Sequence, residues 1–523
     1  MIECLNFCDG KWQKPSGEEF HVTNPYNNEV IGKTRASTAK DLDNVVAAAA
    51  KAQLTWRECP MKERAQVLFR FREILLRDLY ALNHDGLNEP GENKIARQIS
   101  SECGKTLGEA QAEILKGIEV TEFALSLQNL DIGGSLEVSR GVFCEYRREP
   151  LGVVAGITPF NFPAMVPMWM IPIALALGNS FIWKPSDKTP LTSLLIADAL
   201  AQAGLPRGVF SVVQGGRSTV EMILDHPQIA AIGFVGSTAV AKTIYQRASQ
   251  NLKRVLALGG AKNHIFLMPD ADFELTTRGV ADSFTGCAGQ RCMAASVLCA
   301  IASSAQEQAK IDKLIAGIVE QAKQISLACT NREYDTGNAK NERDANDERT
   351  MGAIISTDSL KRLETAIAKA KENGATIALD GRKPKVPPPF KNGNWLGPTI
   401  LDHVKPGSHA AVEELFGPIL SIIRCRSLDE ALEIQNASVY GNAVSVFTQN
   451  GGVADYVARR GKAGMVGVNI GVPVPREPFS FGGIAASKFG QGDITGVHSL
   501  NLWSDVKKIT TKWAVQKDTT WMG

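Results

Sequence analysis

Leu151–Asp187 reads LGVVAGITPFNFPAMVPMWMIPIALALGNSFIWKPSD, and its interpretation decides the fold. From Pro150 to Trp183 there are 34 consecutive positions without a charged side chain. That is long enough to cross a bilayer as a helix. However, Pro159, Pro163, Pro167 and Pro172 interrupt the stretch, with Gly152, Gly156 and Gly178 between and around them. Each proline removes a backbone donor and blocks the helix behind it, and hydrocarbon offers the freed carbonyls no partner. A buried strand, a turn and a core helix satisfy the same residues inside a globular domain, so no membrane span is expected.

The same texture continues outward. LGVVAG, SFIWK, VFSVV, IAAIGFV and RVLAL are short apolar runs of strand type. PMWMIPIALAL, LTSLLIADALAQAG, STVEMILDH and the segment Thr238–Gln250 are helical stretches that separate them. Five strands alternating with helices predict a doubly wound parallel sheet, an α/β fold whose ligands bind at the carboxyl ends of the strands. Upstream, to about Asn129, the pattern is mainly helical: LDNVVAAAAKAQLTW and KERAQVLFRFREILLRDLYAL space apolar residues for one helix face. Val138 to Arg148 alternates like an extended connector. After Asn263 a second α/β unit begins, with IFLMPDAD, a helix around Asp282, the strand SVLCAIA and a long helix over Ala305–Lys323. Asn83–Asn93, Thr330–Thr350 and Gly381–Trp395 are polar or proline-rich excursions expected as surface loops.

Composition narrows the function. At 523 residues the chain has room for two to four units of roughly 150 residues. Its 57 basic and 55 acidic residues leave a net charge of +2. A general nucleic-acid or membrane-surface binder carries a much stronger basic excess. Ten cysteines are too dilute for a disulfide scaffold, and no CxxC or Cys/His cluster has metal-ligand spacing, so no metal is expected. Reduced thiols, and a first segment MIECLNFCDGKWQK without an apolar or Arg-rich leader, are the expectation for a cytoplasmic protein.

Three places carry chemistry. In Phe234-Val235-Gly236-Ser237-Thr238, a glycine and a serine stand where strand becomes helix, a turn that can accept a phosphate or simply cap the helix. In GCAGQRCMA, Gly286–Ala294, Cys292 follows Arg291, and a neighbouring cation favours the nucleophilic thiolate. In Thr158-Pro159-Phe160-Asn161-Phe162-Pro163, an amide fixed between prolines suits an oxyanion donor. His264, beside Asn263, raises the competing idea of a Cys–His hydrolase.

Taken together, PFNFP, KPSD at Lys184–Asp187, FVGS, GQRC and EELFGP at Glu413–Pro418, in this order over nearly the whole chain, resemble the aldehyde dehydrogenase superfamily. The resemblance implies Cys292 as nucleophile and Asn161, with the Cys292 backbone N–H, as oxyanion donors. It implies NAD binding by Phe160, Lys184, Asp187, Gly236, Ser237, Glu414 and Phe416. An acid at 187 suits a free ribose hydroxyl, hence NAD over NADP. It also implies a Rossmann-type NAD-binding domain (1–130 and 150–263), an α/β catalytic domain (264–475), and a β oligomerisation arm (138–149 and 500–513). Such an arm would pair copies into a homodimer or homotetramer.

One departure points further. Hydrolytic members carry a glutamate, the base for the deacylating water, where Leu256-Ala257-Leu258-Gly259-Gly260 has Ala257. ALGGAKNH, Ala257–His264, resembles the branch that transfers its thioester to coenzyme A, the methylmalonate- and malonate-semialdehyde dehydrogenases. Such a substrate's carboxylate requires a cation. The branch implies Arg291, and its second arginine falls at Lys116, which keeps the charge but loses the bidentate fork. The expectation is therefore NAD-dependent, CoA-acylating oxidation of a small carboxylated semialdehyde. The alternatives are a hydrolytic aldehyde dehydrogenase and a non-catalytic binding protein of the same fold.

Overall fold

The computed structural model describes residues 1–82, 88–130, 133–331, 349–386 and 390–513. Parts of the three expected surface excursions, at 83–87, 332–348 and 387–389, lie outside the described residues. All five strands read from the sequence form: Val153–Ile157, Ser180–Lys184, Phe210–Val212, Ile229–Val235 and Arg254–Leu258. They pair in parallel. Val153–Ile157 lies between Ser180–Lys184 on one side and Ile229–Val235 on the other. The chain therefore builds one flank of the sheet, returns to the centre and builds the other. That reversal opens a crevice at the carboxyl ends of the two central strands.

The charge-free stretch is the core of this unit. Its helical part is two short helices, Met165–Met168 and Ile171–Ala176, the second with Pro172 in its first turn, where a missing N–H costs nothing. Every residue from Ile171 to Ala176 is buried. Gly156 stands opposite Gly233 in the register. A Cβ at Gly156 would lie 2.5 Å from the Phe181 ring, and one at Gly233 would lie 2.5 Å from the Met170 sulfur. Glycine at both positions lets bulky side chains lie flat on the sheet. Among the described residues no helix is long and apolar enough to cross a membrane.

The amino-terminal part is less helical than its pattern predicts. Helices cover Ala39–Trp56, Met61–Leu79, Lys94–Cys103 and Leu107–Leu130. Residues 2–35 are instead five short strands, and Asn6–Cys8 with Lys11–Gln13 extends the edge of the large sheet. Tyr80–Leu82, read as helix, pairs as a strand with Asn88–Pro90. These strands are short and lack a long alternating run, so periodicity missed them. At the opposite edge Lys488–Phe489 pairs with Ala257 and Leu258. A second sheet of seven strands is drawn from residues 263 to 468, beginning with Asn263–Leu267 beside Ala295–Ile301. The extended connector is Val142–Pro150, joined by Gly134–Ser139 and by Ser504–Lys512 in a separate three-stranded sheet. Leu500–Trp503 is helical, and Trp503 buries itself against Phe181 and Gly233.

One buried ion pair ties helix Leu107–Leu130 to the PFNFP segment. Lys105 Nζ lies 2.6 Å from Glu113 Oε2, and both side chains are almost wholly buried. Glu113 Oε1 accepts the N–H groups of Ala164 (2.7 Å) and Met165 (3.0 Å), while Lys105 Nζ sits 3.5 Å from the centre of the Phe162 ring. Removing one member of such a pair leaves an uncompensated buried charge. Glu113→Ala should therefore lower the unfolding free energy in urea by about 3–5 kcal/mol. Arg217→Ala, which removes a largely exposed partner of Glu221, should change it by less than about 0.5 kcal/mol. Equal effects of the two substitutions would contradict the assignment.

Candidate active site

Two cavities flank the PFNFP segment, with Pro159 and Phe160 lining one and Phe162 the other. The larger, about 520 Å³, lies at the carboxyl ends of the central strands and is lined by Thr158, Phe160, Lys184, Asp187, Gly216, Phe234, Gly236 and Ser237 among others. Five sequence-selected residues, Phe160, Lys184, Asp187, Gly236 and Ser237, thus share one groove. Lys184 ends its strand inside the protein, and its ammonium has no hydrogen-bond partner among the described residues. Burial pushes its pKa down to about 8, with Asp187 pulling the other way. Ser237 occupies the N-cap position of helix Thr238–Gln250, yet its hydroxyl makes no capping hydrogen bond. A Cβ at Gly236 would lie within 2.4 Å of the Phe234 ring, so the turn requires glycine. An unpaired buried cation, a free hydroxyl, open helix N–H groups and an acid suit a ligand with phosphates and a ribose.

Glu414 and Phe416 lie on the far side, sharing a smaller space with Lys262 and Cys292. The Phe160 and Phe416 rings meet edge to face, 5.8 Å apart at 78°, and join this space to the groove. Glu414 Oε1 accepts the Ala261 N–H at 2.9 Å, and burial raises its pKa.

The second cavity, about 260 Å³, is lined by Phe162, Met165, Trp169, Met293, Val472, Val474 and Phe481, with Glu109, Glu113, Lys116, Cys287, Arg291 and Cys292. Glu109, Ala112, Glu113 and Lys116 follow helical spacing, so Leu107–Leu130 presents one face to it. Cys292 is half-buried, and its thiol is pushed up to about 12, first by burial and then by Glu414. The Cys292 and Met293 N–H groups and the Arg291 guanidinium oppose that rise. Arg291 Nη2 donates to the carbonyls of Asp282 (2.7 Å) and Ser283 (3.1 Å), and its buried Nε has no partner. Lys116, by contrast, is paired: its Nζ lies 2.7 Å from Glu477 Oε2 and 3.0 Å from Glu119 Oε2.

The nucleophile turn is held from all sides. Cys287, Ala288 and Gly289 adopt positive φ in succession, 54°, 51° and 65°. Glu109 accepts the Cys287 N–H, and a Cβ at Gly289 would lie 2.1 Å from the Gly417 carbonyl. Asn161 Nδ2 donates to the Gln290 carbonyl at 2.9 Å, which uses one of its two hydrogens and leaves the other. The Cys292 carbonyl accepts from Asn263 Nδ2 (2.8 Å) and Asn442 Nδ2 (3.1 Å). Gln290 binds Ala353 and Ile355 through both ends of its amide. Sequence reasoning did not select Asn263, Asn442, Gln290 or Glu109; it marked Pro475-Arg476-Glu477 only as a stretch near a substrate-facing loop, without a role for Glu477. His264, the candidate for a Cys–His pair, is buried in its strand with Nδ1 2.9 Å from the Lys262 carbonyl. Burial holds its pKa down near 4, and no hydrogen bond joins it to Cys292 among the described residues.

The aldehyde dehydrogenase family model matches residues 12–509. A malonate-semialdehyde dehydrogenase of Halalkalibacterium halodurans is 37% identical over 511 residues, 97% of this chain and 98% of the relative. The crystal structure of methylmalonate-semialdehyde dehydrogenase from Oceanimonas doudoroffii superposes with a TM-score of 0.90 at 35% identity, covering 99% of both chains. A Sinorhizobium meliloti protein crystallised in complex with NAD superposes with a TM-score of 0.89 at 35% identity, again over 99% of both chains. The family model over residues 12–509 and relatives matched along nearly the whole length mean that the chain belongs to the aldehyde dehydrogenase family.

Proposed function

We propose that the protein is an NAD-dependent, CoA-acylating dehydrogenase of a small carboxylated semialdehyde, malonate or methylmalonate semialdehyde. The observation that carries the acylating reading is that, among the described residues, neither position 257 nor His264 offers a base for water. Position 257 is a buried alanine, and His264 makes no hydrogen bond to the thiol. The acid felt by the thiol is Glu414, with one oxygen already held by the Ala261 N–H. The names of the relatives, malonate- and methylmalonate-semialdehyde dehydrogenases, support the same substrate class.

In this reading Cys292 Sγ attacks the aldehyde carbon. The Cys292 N–H and the free Asn161 N–H donate to the oxygen as it becomes an oxyanion, worth a few kcal/mol in a water-poor site. Lys184, Asp187, Ser237 and Glu414 hold NAD, which when bound accepts the hydride leaving the aldehyde carbon. The acyl group then stands as a thioester on Sγ. Its carboxylate leaves as carbon dioxide, the C–C bonding pair passing to the α-carbon, which takes up a proton. The deprotonated CoA thiol then displaces Sγ from the acyl carbon. For malonate semialdehyde the balance is aldehyde, NAD and CoA in; acetyl-CoA, carbon dioxide and NADH out. Arg291 positions the carboxylate. The sheet of Gly134–Ser139, Val142–Pro150 and Ser504–Lys512 is the proposed arm for pairing copies, since Leu136, Val138, Phe143 and Tyr146 are exposed on it.

Steady-state NADH formation over small semialdehydes, with and without CoA, tests the acyl acceptor. CoA should raise the rate and acyl-CoA should accumulate; an unchanged rate with free acid as the only product sinks the acylating reading. Cys292→Ser should lose at least about a thousandfold in turnover. Because the thiol titrates near 12, its thiolate fraction grows about tenfold per pH unit below that value. Alkylation of Cys292 by iodoacetamide in the free protein should accordingly rise about tenfold per unit from pH 7 to pH 9. A plateau near pH 7 would show a thiol already ionised.

A further inference from the structure

The aldehyde-side cavity has an unusual charge arrangement. Two cations line it, and among the described residues only Arg291 lacks a carboxylate partner. Lys116 spends its ammonium on Glu477 at 2.7 Å and on Glu119 at 3.0 Å. Glu477 is 8% exposed and Lys116 16%, so water screens their contact poorly. Arg476, next to Glu477, adds a looser contact to Glu119 at 3.4 Å and is itself 81% exposed. Arg291 touches only carbonyl oxygens, which do not cancel its charge. Glu109 and Glu113, also in the wall, are already engaged: Glu109 by the Thr106 and Cys287 N–H groups, Glu113 by Lys105.

Glu477 does not itself line the cavity. Its chain neighbours Val472, Val474 and Phe481 do, so the segment that walls the pocket also delivers the counter-charge to Lys116. We propose that Glu477 is a specificity-determining positioning residue: by neutralising Lys116 it leaves Arg291 as the single cation available to substrate. The site then accepts one carboxylate and disfavours anionic groups that reach toward Lys116. This deepens the carboxylated-semialdehyde reading and rests on it. Lys116, which the family resemblance offered as a second carboxylate ligand, is withheld by a residue of this chain.

Malonate, succinate and glutarate semialdehydes are compared with propanal, butanal and pentanal in wild type, Glu477→Gln, Lys116→Met and the double variant. The readout is the ratio of kcat/KM for the carboxylated aldehyde to that for the uncharged one of equal carbon number. Glu477→Gln, which leaves Lys116 only its half-exposed partner Glu119, should raise this ratio by roughly tenfold for at least one length, mainly through a lower KM. Lys116→Met leaves Glu477 unpaired and should depress the ratio by a similar factor. The double variant, with the pair's net charge restored to zero, should return to within about threefold of wild type. A merely structural role would move both aldehyde classes in parallel and leave the ratio constant, and that result overturns the proposal, as does a fall in Glu477→Gln. Should wild type oxidise only uncharged aldehydes, the substrate reading fails on its own. A gain of carboxylated substrates by Glu477→Gln would still support the role of Glu477, and no gain would overturn it.

Discussion

Three successive residues at positive φ, Cys287 to Gly289, are the constraint on which the site depends. Two of them are not glycine, and each costs on the order of 1 kcal/mol relative to ordinary backbone. A turn of that kind persists only where its surroundings leave no alternative. Here Glu109 holds the Cys287 N–H from one side, and the Gly417 carbonyl closes on Gly289 from the other. Gln290 is fixed by Asn161, Ala353 and Ile355, and the Cys292 carbonyl by two asparagines. Helix Leu107–Leu130, the PFNFP segment, the EELFGP loop and both large sheets all contribute to one turn. The sulfur's position is thus a property of the whole packing arrangement, and distant residues bear on it.

The Lys105–Glu113 pair shows how that arrangement is transmitted. Glu109 and Glu113 are one helical turn apart, so a single helix face grips the turn before Cys292 with one carboxylate and the chain just after PFNFP with the other. Any shift of the helix would move thiol and amide together. Preorganised donors are effective because they need not reorient as charge develops, and a shared rigid support is the simplest way to keep two donors in register.

Much of this was legible in the residues. The prolines inside Leu151–Asp187 turned a membrane-like stretch into strand, turn and core helix, and five apolar runs foretold five parallel strands. The order of short motifs selected Lys184 and Ser237, which line one groove, Cys292 and Glu414, which share a smaller space, and Asn161, which hydrogen-bonds the Gln290 carbonyl two residues before Cys292. What stayed hidden depends on contacts between distant segments. Nothing in the local sequence marks Asn442 as a partner of the Cys292 carbonyl 150 positions away. The short strands within residues 2–35 owe their form to pairing with each other and with the large sheet, which local periodicity cannot reveal. Lys116 was legible as a cation but not as a committed one, because its partner Glu477 lies 361 residues downstream.

That last contrast bears on how the near-neutral composition should be understood. A net charge of +2 over 523 residues says little about a cavity whose electrostatics rest on a handful of groups. In the apolar pocket around Cys292 each charge acts strongly, because the surroundings screen it weakly. The burial that raises the thiol pKa also strengthens the pull of Arg291 on any anion nearby. In the proposed reaction, thiolate and substrate carboxylate would draw on the same guanidinium, and a carboxylate that fully neutralised it would leave the thiol harder to ionise. The Met293 backbone N–H, which also stabilises the sulfur's charge and has no part in the proposed oxyanion contact, supplies a share of the stabilisation that does not depend on Arg291.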